Sequence, residues 1–541
     1  MSLLSFIVAG LTLLPVAVVA SSLFSPSLEV WSHLWDTILP RILANTFWLL
    51  IGVGTGTLVL GTGLAWLITA YDFPGKNTFK WLLVLPMAVP AYVMGFIYMA
   101  LFDFAGPVQS LIRDMGWQNV PFPQVRSGTG AILVMTLVLY PYVFLLAKAG
   151  FEEQSGTVFE AAKVLGCNKR GIFFRIALPL ARPSIVAGVA LASMDALADF
   201  ATVRYFNFPT VSDGILRVWH GMMDLGAASE MAGLLAIFSL ALLLAEHRMR
   251  KRRAYHQSKG KLPGIPALLL SGWKGTVAVS ICLAVSMAAF GIPILQLVYW
   301  ATKEISEITP GALAVYGRLA MNSLTLSAIA AGFAVLLALL MTSMSRLKES
   351  RLSRYITRMV TIGYSIPGAV IAVGILLPLS AFDRLINYLT DSLWGITPGL
   401  ILTGSLAGLV YAYTVRFMAI AYSSVDSSMD KIPPNVVLAA RALGAAPYRL
   451  IFKIKLPLIL PGILAGTILV FVDVMKELPI TVMLRPLGYD TLAIWVWQMA
   501  AESLWTDTAL PALAIVLVGL VPIKLLLNVG KPRQQDQYLK T

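Results

Sequence analysis

The chain has 541 residues, of which 58% are apolar and only 13% are charged. A soluble domain is nearer half apolar and a quarter charged, so this composition excludes a soluble enzyme, a disordered chain and a fibrous protein. What remains is an all-α polytopic membrane protein. The formal net charge is +14; in a membrane protein such an excess bears on orientation, and we expect no nucleic-acid partner.

Apolar runs of membrane-spanning length recur along the whole chain. About 20 apolar residues in a helix cross a hydrocarbon layer of ~30 Å. The first run has no Lys or Arg before it, unlike a secretory signal, so we expect it to remain as a span. In chain order, about twelve spans are predicted near residues 4–24, 46–70, 80–102, 128–149, 184–204, 227–246, 275–300, 320–343, 357–379, 397–421, 460–482 and 507–528.

The basic residues are distributed unequally between the two sides of these spans. Of the 41 Lys and Arg residues, 31 fall on the side that holds both termini, including six in the stretch 416–455, and 10 fall on the other. Cytoplasmic loops carry the excess of Lys and Arg, so both termini are predicted to be cytoplasmic. The densest cluster, HRMRKRR at 247–253, is interpreted as a topology anchor that also meets the anionic surface of the lipid bilayer.

The two halves of the chain are related by an internal duplication. Matching residues lie 277 or 278 positions apart over more than a hundred residues, which indicates a repeat. Each repeat has six spans, so the two lie parallel in the membrane. The matched pairs include Asn45 and Asn322, Pro90 and Pro367, Gly166 and Gly444, Pro179 and Pro457, and Asp195 and Asp473. Pro90 and Pro367 are predicted to break spans three and nine at matching depth, which either lines a cavity or only shapes the bundle.

This duplication defines the expected domains. They are a first repeat at residues 1–246 with its core at about 41–246, a basic cytoplasmic linker at 247–274, a second repeat at 275–530 with its core at about 318–528, and a cytoplasmic tail at 531–541.

A long cytoplasmic segment between the fourth and fifth spans occurs once in each repeat. It reads EAAKVLGCNKRGIFFRIALP at 160–179 and LAARALGAAPYRLIFKIKLP at 438–457. Each copy predicts a short helix, a break at glycine and a basic amphipathic helix that ends at proline. A helix pair lying on the lipid headgroups is the simpler interpretation, but it does not explain two copies with the same spacing.

These segments resemble the EAA loop of ABC-importer permeases. Leu438 replaces the glutamate in the second copy, which leaves open whether the two loops dock with equal strength. The resemblance implies two tandem six-helix type I permease repeats, whose loops contact two copies of a cytoplasmic ATPase that binds ATP-Mg. The chain has no GxxxxGK[ST] phosphate loop, so we expect it to bind no cofactor and to be no enzyme. The matched loop residues are Glu160, Ala161, Ala162, Gly166, Leu178 and Pro179 in the first copy, and Ala439, Ala440, Gly444, Leu456 and Pro457 in the second.

The similarity extends to a narrower group. The stretches LADFATVRYF at 197–206, VDVMKELPIT at 472–481 and LVLYPYVFLLAKA in span four resemble the fused double permeases of ferric-iron importers. The resemblance implies a periplasmic ferric-binding protein as partner, docking on outer loops such as 205–229 and 484–506, and an inner-membrane location. Permeases for spermidine or putrescine, thiamine, and sulfate or molybdate share the EAA loop and remain alternatives, and a proton-coupled secondary carrier is a further one.

Acidic residues recur at equivalent places in the two repeats. Asp195 and Asp199 are four residues apart on one helix face, and Asp473 and Glu477 repeat that spacing. Each charge inside a membrane costs about 2.5–3.5 kcal/mol on insertion scales, so these groups predict a polar translocation pathway or gate. The alternative is a set of structural ion pairs, with Lys476 beside Asp473 and Arg204 beside Asp199.

A Tyr-x-Tyr pattern occurs in span four and again in span ten. Phenolate oxygen can bind iron, but buried tyrosines more often pack or donate a hydrogen bond, so no metal site is assigned. The four weak candidates are Tyr140 and Tyr142, which we match to Tyr411 and Tyr413.

Overall fold

The computed structural model of the protein describes residues 3–24, 26–116, 122–222, 224–251, 267–347, 360, 363 and 366–529. Of the predicted segments, the tail at 531–541 and most of the linker at 247–274 lie outside this part of the chain. The described residues are overwhelmingly helical, as the uninterrupted apolar runs predict.

The first repeat contains thirteen helices in the described part of the chain. They are α1 (Leu3–Ser22), α2 (Leu28–Thr37), α3 (Leu39–Ala70), α4 (Lys76–Leu82), α5 (Ala91–Phe102), α6 (Pro107–Asp114), α7 (Gly128–Glu152), α8 (Gly156–Val164), α9 (Lys169–Ile172), α10 (Leu178–Ala198), α11 (Ala201–Tyr205), α12 (Val211–Met222) and α13 (Leu225–Lys251). A 3₁₀ turn at Leu85–Ala88 precedes α5, and a π-helical turn at Phe173–Ala177 joins α9 to α10.

The second repeat follows the same order. Its described helices are α14 (Trp273–Ser286), α15 (Ile292–Glu307), α16 (Pro310–Leu347), α17 (Gly368–Trp394), α18 (Leu406–Met429), α19 (Pro434–Ala442), α20 (Pro447–Arg449), α21 (Leu456–Met475), α22 (Pro479–Leu484), α23 (Leu492–Ala501) and α24 (Ala509–Val529). π-helical turns at Met287–Gly291 and Leu450–Lys455 and a 3₁₀ turn at Thr506–Thr508 complete it.

Eleven helical segments in the described part of the chain are long and apolar enough to cross a membrane. The predicted first span corresponds to α1. Its apolar part, Phe6–Ser22, is shorter than the eleven segments and is not counted among them. The polytopic all-α fold is therefore confirmed. The part of the predicted ninth span that precedes residue 366 lies outside the described residues except for Val360 and Gly363, and its helix α17 continues to Trp394.

The third span, predicted at 80–102 with a break at Pro90, is interrupted there. The chain forms α4, then the 3₁₀ turn, and begins α5 only after Pro90, which is the N-cap residue. Pro86 and Pro90 have no backbone N–H to donate and so interrupt an α-helix. Pro367 likewise stands at the N-cap of α17, so both repeats break at the matched prolines.

The same three helices form the centre of each repeat. They are α3, α7 and α10 in the first and α16, α18 and α21 in the second. Close helix approach in a membrane requires small residues: Gly150 faces Ser184 in the first repeat, and Ser428 faces Gly462 at the equivalent places in the second. Both repeats thus pair a glycine with a serine at this contact. The glycine lies on α7 in the first repeat and on α21 in the second.

The repeats exchange their first spans. Helix α1 of the first repeat packs on α17, the third span of the second repeat, and α15 of the second repeat packs on α5, the third span of the first. A Cβ atom at Gly374 in α17 would collide with the backbone of Pro15 in α1. Helix α24 also lies against the 3₁₀ turn, where a Cβ at Gly519 would come within 2.6 Å of the Ala88 carbonyl oxygen. The two repeats therefore form one interlocked bundle.

A two-residue parallel bridge links the loop after α3 to the linker. Strand β1 (Tyr71–Asp72) pairs with β2 (Leu268–Leu269), with Tyr71 opposite Leu268. Two strands of this length form no stable sheet of their own, so the bridge fastens the described end of the linker to the first repeat.

The N-caps of α7 and α18 correct the predicted match of the tyrosines. The Ser127 and Ser405 hydroxyls accept hydrogen bonds from the Gly130 and Gly408 amides, which sets the register of the two helices at 278 positions. Tyr140 then lies 13 residues after its cap, whereas Tyr413 lies eight after its own. The match of Tyr140 and Tyr142 with Tyr411 and Tyr413 is therefore wrong, because two different faces of equivalent helices happen to carry the pattern.

Candidate translocation pathway and coupling loops

The four predicted acids lie where the fifth and eleventh spans end. Asp195 and Asp473 occupy the last turns of α10 and α21, and Asp199 is the C-cap residue of α10. Beyond each helix the chain turns and starts a short helix, α11 or α22. The acids are therefore at matched breaks in the backbone.

Asp199 and Glu477 each satisfy the backbone of the short helix that follows. The Asp199 carboxylate accepts a hydrogen bond from the Thr202 amide at 2.8 Å and another from the Thr202 hydroxyl at 2.6 Å. The Glu477 carboxylate accepts from the Ile480 amide at 3.0 Å. A carboxylate at a helix N-terminus is stabilised by these donors, so both acids have a structural part as well as a charge.

Only one of the two anticipated ion pairs is present. Lys476 Nζ lies 2.9 Å from Asp473 Oδ1. The predicted pairing of Arg204 with Asp199 is wrong: Arg204 is exposed and its guanidinium lies 5.9 Å from the centre of the Trp497 ring, while Thr202 occupies the Asp199 carboxylate. In the first repeat, Tyr142 instead forms a side-chain hydrogen bond with Asp195.

A cavity of about 160 Å³ between the repeats brings the predicted pathway residues together. Since one water needs only about 10–15 Å³ of such space, several waters or a hydrated ion fit inside. Pro90 and Pro479 stand beside the acids at its wall, so the helix breaks shape it. All five predicted residues line it, namely Asp195, Asp199, Asp473, Lys476 and Glu477.

Two further residues at this cavity were not predicted. Arg416, which the charge count assigned to a cytoplasmic loop, lies in the middle of α18 and places Nη1 3.3 Å from Glu477 Oε1. Tyr92, in the first turn of α5, is 5% exposed and lines the cavity. Arg416 could have been found as a lone cation in an apolar run, but Tyr92 has no distinguishing sequence signal.

The cavity is lined by more carboxylates than cations. Its four carboxylates face two cations, Lys476 and Arg416, so the net charge is −2 with all six groups ionised. Gly368 makes room for one of these pairs, because a Cβ there would lie 2.6 Å from Glu477 Oε1 and nearer still to Arg416 Nη1. At the start of α17, directly after Pro367, the glycine thus lets an ion pair approach the backbone.

No cluster of three or more His, Cys, Asp or Glu side chains in the described residues is arranged to hold a metal ion. Three of the four tyrosines donate to, or share a hydrogen bond with, a neighbour: Tyr140 with the Leu83 carbonyl, Tyr411 with the Leu11 carbonyl, and Tyr413 with the Thr481 hydroxyl. Tyr142 is the one that reaches the cavity. The described residues of the site therefore place charged groups along the cavity without arranging them around one metal position.

The two EAA loops share one backbone conformation. Gly166 and Gly444 have φ of 79° and 76°, in the left-handed region that glycine adopts without strain. In both loops the residue after glycine donates to the carbonyl of the second alanine, from Cys167 to Ala162 and from Ala445 to Ala440. This is a helix C-cap that turns the chain sharply.

The turn of each loop presents bare apolar side chains. Leu165 and Leu443, one residue before the glycines, are 83% and 88% exposed, and Val164 is 87% exposed. Exposed apolar side chains grouped at one turn are candidates for contact with another protein or with lipid. Glu160 is exposed as well, and Leu438, which replaces it in the second loop, is 60% exposed.

Two parallel interlocked repeats, an ionisable cavity between them and a projecting loop from each define a membrane transport permease. The family model for the binding-protein-dependent transport system inner membrane component matches twice, at residues 57–246 and 334–533. The chain belongs to this family and is an ABC importer permease, a multi-pass protein of the inner membrane.

Several relatives match over most of their own length. The Fe(3+)-transport system permease protein FbpB 2 of Haemophilus influenzae is 26% identical over 487 residues, which cover 90% of this chain and 89% of the relative. The sulfate transport system permease protein CysT of Salmonella typhimurium is 26% identical over 249 residues, 44% of this chain and 87% of the relative. The molybdenum transport system permease protein ModB of Escherichia coli is 28% identical over 190 residues, 35% of this chain and 81% of the relative.

Proposed function

We propose that this permease is the membrane subunit of a ferric-iron importer. The observation that carries the proposal is the cavity between the repeats, whose four carboxylates outnumber its two cations. An excess of negative charge concentrates cations and repels anions. FbpB 2, one of the relatives that span both repeats, is named for Fe(3+) transport, and carboxylate oxygen is a hard ligand suited to a hard cation.

The arrangement suits passage better than storage. The described residues form no cluster able to hold a metal, and a conducting site must release its ion as readily as it accepts it. Each acid instead has its own nearby donor, as Asp199 has in Thr202. A cation would meet charge from several sides in turn and would not be trapped by any one group.

Energy comes from separate subunits in this proposal. The exposed apolar turns at Leu165 and Leu443 dock into two copies of a cytoplasmic ATPase, which binds ATP-Mg, while this chain binds no cofactor and catalyses no reaction. Both termini then lie in the cytoplasm with the loops. ATP binding draws the two loops together, and the repeats rock as rigid bodies to open the cavity outward.

The cargo arrives on the opposite face. A periplasmic ferric-binding protein docks on the outer segments 205–229 and 484–506 and releases the ion into the cavity when the repeats open outward. Binding energy from that partner and from ATP both favour the outward-open state, since each ligand shifts the equilibrium toward the state it prefers.

Reconstitution tests the assignment. The permease is placed in liposomes with its ATPase and its binding protein, and ATP hydrolysis is measured with the binding protein loaded with Fe³⁺, sulfate, molybdate, thiamine, spermidine or putrescine. We expect stimulation by the ferric form and none by the anions. Stimulation by sulfate or molybdate alone would refute the iron assignment.

Polyamines and thiamine are the second candidates, because they too are cations that the carboxylates would attract. The same titration separates them from iron. A proton-coupled carrier is separated by a protonophore: uptake by the proposed importer persists with the protonophore and stops without ATP.

A further inference from the structure

The cations of the cavity come from one repeat only. Lys476 follows the last turn of α21 and Arg416 lies in α18, both in the second repeat. At the 278-residue register their counterparts in the first repeat are Ala198 and Val138, which also line the cavity. The acids are duplicated at both sides, whereas the cations are not.

This asymmetry leaves the acids of the first repeat to share cations with the second. Asp195 interacts electrostatically with both Lys476 and Arg416 across the cavity. Lys476 also pairs with Asp473 on its own helix, and Arg416 pairs with Glu477 of the same repeat. Each cation therefore serves acids of both repeats.

The hydrogen bonds around the cavity are incomplete. In the described residues Arg416 forms one ion pair, with Nη1 3.3 Å from Glu477 Oε1, and its Nε and Nη1 have no hydrogen-bond partner there. The Tyr92 hydroxyl is also without one in the described part of the chain, although its residue is only 5% exposed. A well-fixed arginine–carboxylate pair is bidentate and shorter, so Glu477 holds this arginine only loosely.

We propose that Arg416 and Lys476 are built-in counter-ions, which stand in for a cationic cargo while the cavity is empty and are displaced from the carboxylates when a cation enters. The inference rests on the proposed function, since it requires that the cargo be a cation. It adds that the second repeat carries the displaceable charges and the first repeat carries the acids left for the cargo.

Cation binding to the purified full-length permease tests the proposal directly. The probe is Tb³⁺, a hard trivalent ion, and its binding is followed by luminescence sensitised by nearby aromatic rings. Lys476→Gln and Arg416→Gln each change the cavity charge from −2 to −3, and we expect each to tighten Tb³⁺ binding at least tenfold. Asp199→Asn added to either variant is expected to reverse the gain.

One variant controls for unrelated effects. Arg384→Gln removes an exposed cation from α17 and is expected to leave Tb³⁺ binding unchanged. A gain in Arg384→Gln equal to that in Arg416→Gln, or no gain in either cavity variant, overturns the proposal.

Adding a charge gives the opposite test and does not depend on removing a buried partner. Ala198→Lys supplies the counterpart of Lys476 that the first repeat lacks, and Ala198→Gln is its uncharged control of similar length. We expect Ala198→Lys to lower both Tb³⁺ binding and ATP-driven iron uptake at least tenfold, and Ala198→Gln to lower each less than threefold. Equal effects of the two substitutions would show that only bulk matters and would overturn the counter-ion role.

The transport assay and the Tb³⁺ titrations distinguish failure of the proposed function from failure of the counter-ion inference. If the wild-type complex imports an anion and no cation, the iron assignment fails whatever the Tb³⁺ titrations give. If it imports iron while the cavity variants bind Tb³⁺ as the wild type does, the counter-ion inference alone fails.

Discussion

Single carboxylates at the cavity combine two tasks that substitution can separate. Asp199 caps the short helix α11 through the Thr202 amide and also contributes charge. Asparagine is as good a cap as aspartate, whereas alanine is not. The capping and the charge therefore respond differently to the two replacements.

We expect Asp199→Asn to keep the stability of the protein and to reduce iron uptake at least tenfold. Asp199→Ala should lose uptake and also about 1 kcal/mol of stability, because a cap is removed. Thermal unfolding of the purified protein and uptake in liposomes measure the two effects. Equal stability of both variants would show that the cap contributes nothing.

A substitution at Gly368 tests whether the Arg416–Glu477 ion pair is needed for transport. A Cβ there would press on Arg416 Nη1 and Glu477 Oε1, and the flexible ends of these side chains would move apart. We expect Gly368→Ala to impair uptake while leaving the helix intact, since alanine favours helix more than glycine does. Gly332→Ala is the matched control, because nothing lies within 4 Å of a Cβ at that helical position; equal loss in both would contradict the explanation.

At the scale of elements, the EAA loops are equivalent in backbone but different in sequence. Gly166 and Gly444 have the same positive φ and open space around a Cβ. Aspartate at either position would strain the backbone and add a charge beside the exposed leucine. The main effect of such a change should therefore fall on docking.

We expect Gly166→Asp and Gly444→Asp each to uncouple ATP hydrolysis from uptake while the chain still inserts in the membrane. Uptake in liposomes and ATPase activity of the complex, measured together, test this. Normal uptake in both variants would remove the coupling role of the loops. Leu438→Glu, which restores the acid found at Glu160, indicates by its effect on ATPase binding whether the loops dock equally.

The elements also show where sequence is informative. Spans, loops and matched acids were predictable because apolar length, Lys and Arg bias and a fixed offset are local properties of the chain. The break of the third span was predictable as well, because Pro90 interrupts a helix even within a run that stays apolar throughout. Arg416 was misplaced because a lone cation near the end of an apolar run reads as the start of a loop.

At the scale of the whole molecule, the contacts between the two repeats could not be predicted from the sequence. The packing of α1 on α17 and of α15 on α5 joins helices more than 150 residues apart. In a membrane, the apolar face of a helix does not indicate which other helix it packs against. The cavity could not be outlined for the same reason, although its acids were found. Tyr92 belongs to it only through that long-range arrangement.

The interlocked repeats predict that the chain tolerates a cut. We expect residues 1–258 and 259–541, expressed together as separate chains, to copurify, because each repeat packs its first span on the third span of the other. Affinity purification through a tag on one half measures this. Gly374→Val, which collides with α1 at Pro15, should reduce recovery of the second half several-fold, and Gly63→Ala, with open space around its Cβ, should not.

Covalent fusion of the repeats has a consequence for what the cavity can be. A permease assembled from two identical chains must place every residue on both sides of its symmetry axis. A homodimer of the second repeat would bring four acids and four cations and cancel its own field, while one of the first would bring four acids with nothing to balance them. With the two copies joined in one gene, each could change independently of the other. The cavity can therefore have an intermediate charge, which strict twofold symmetry with these residues does not allow.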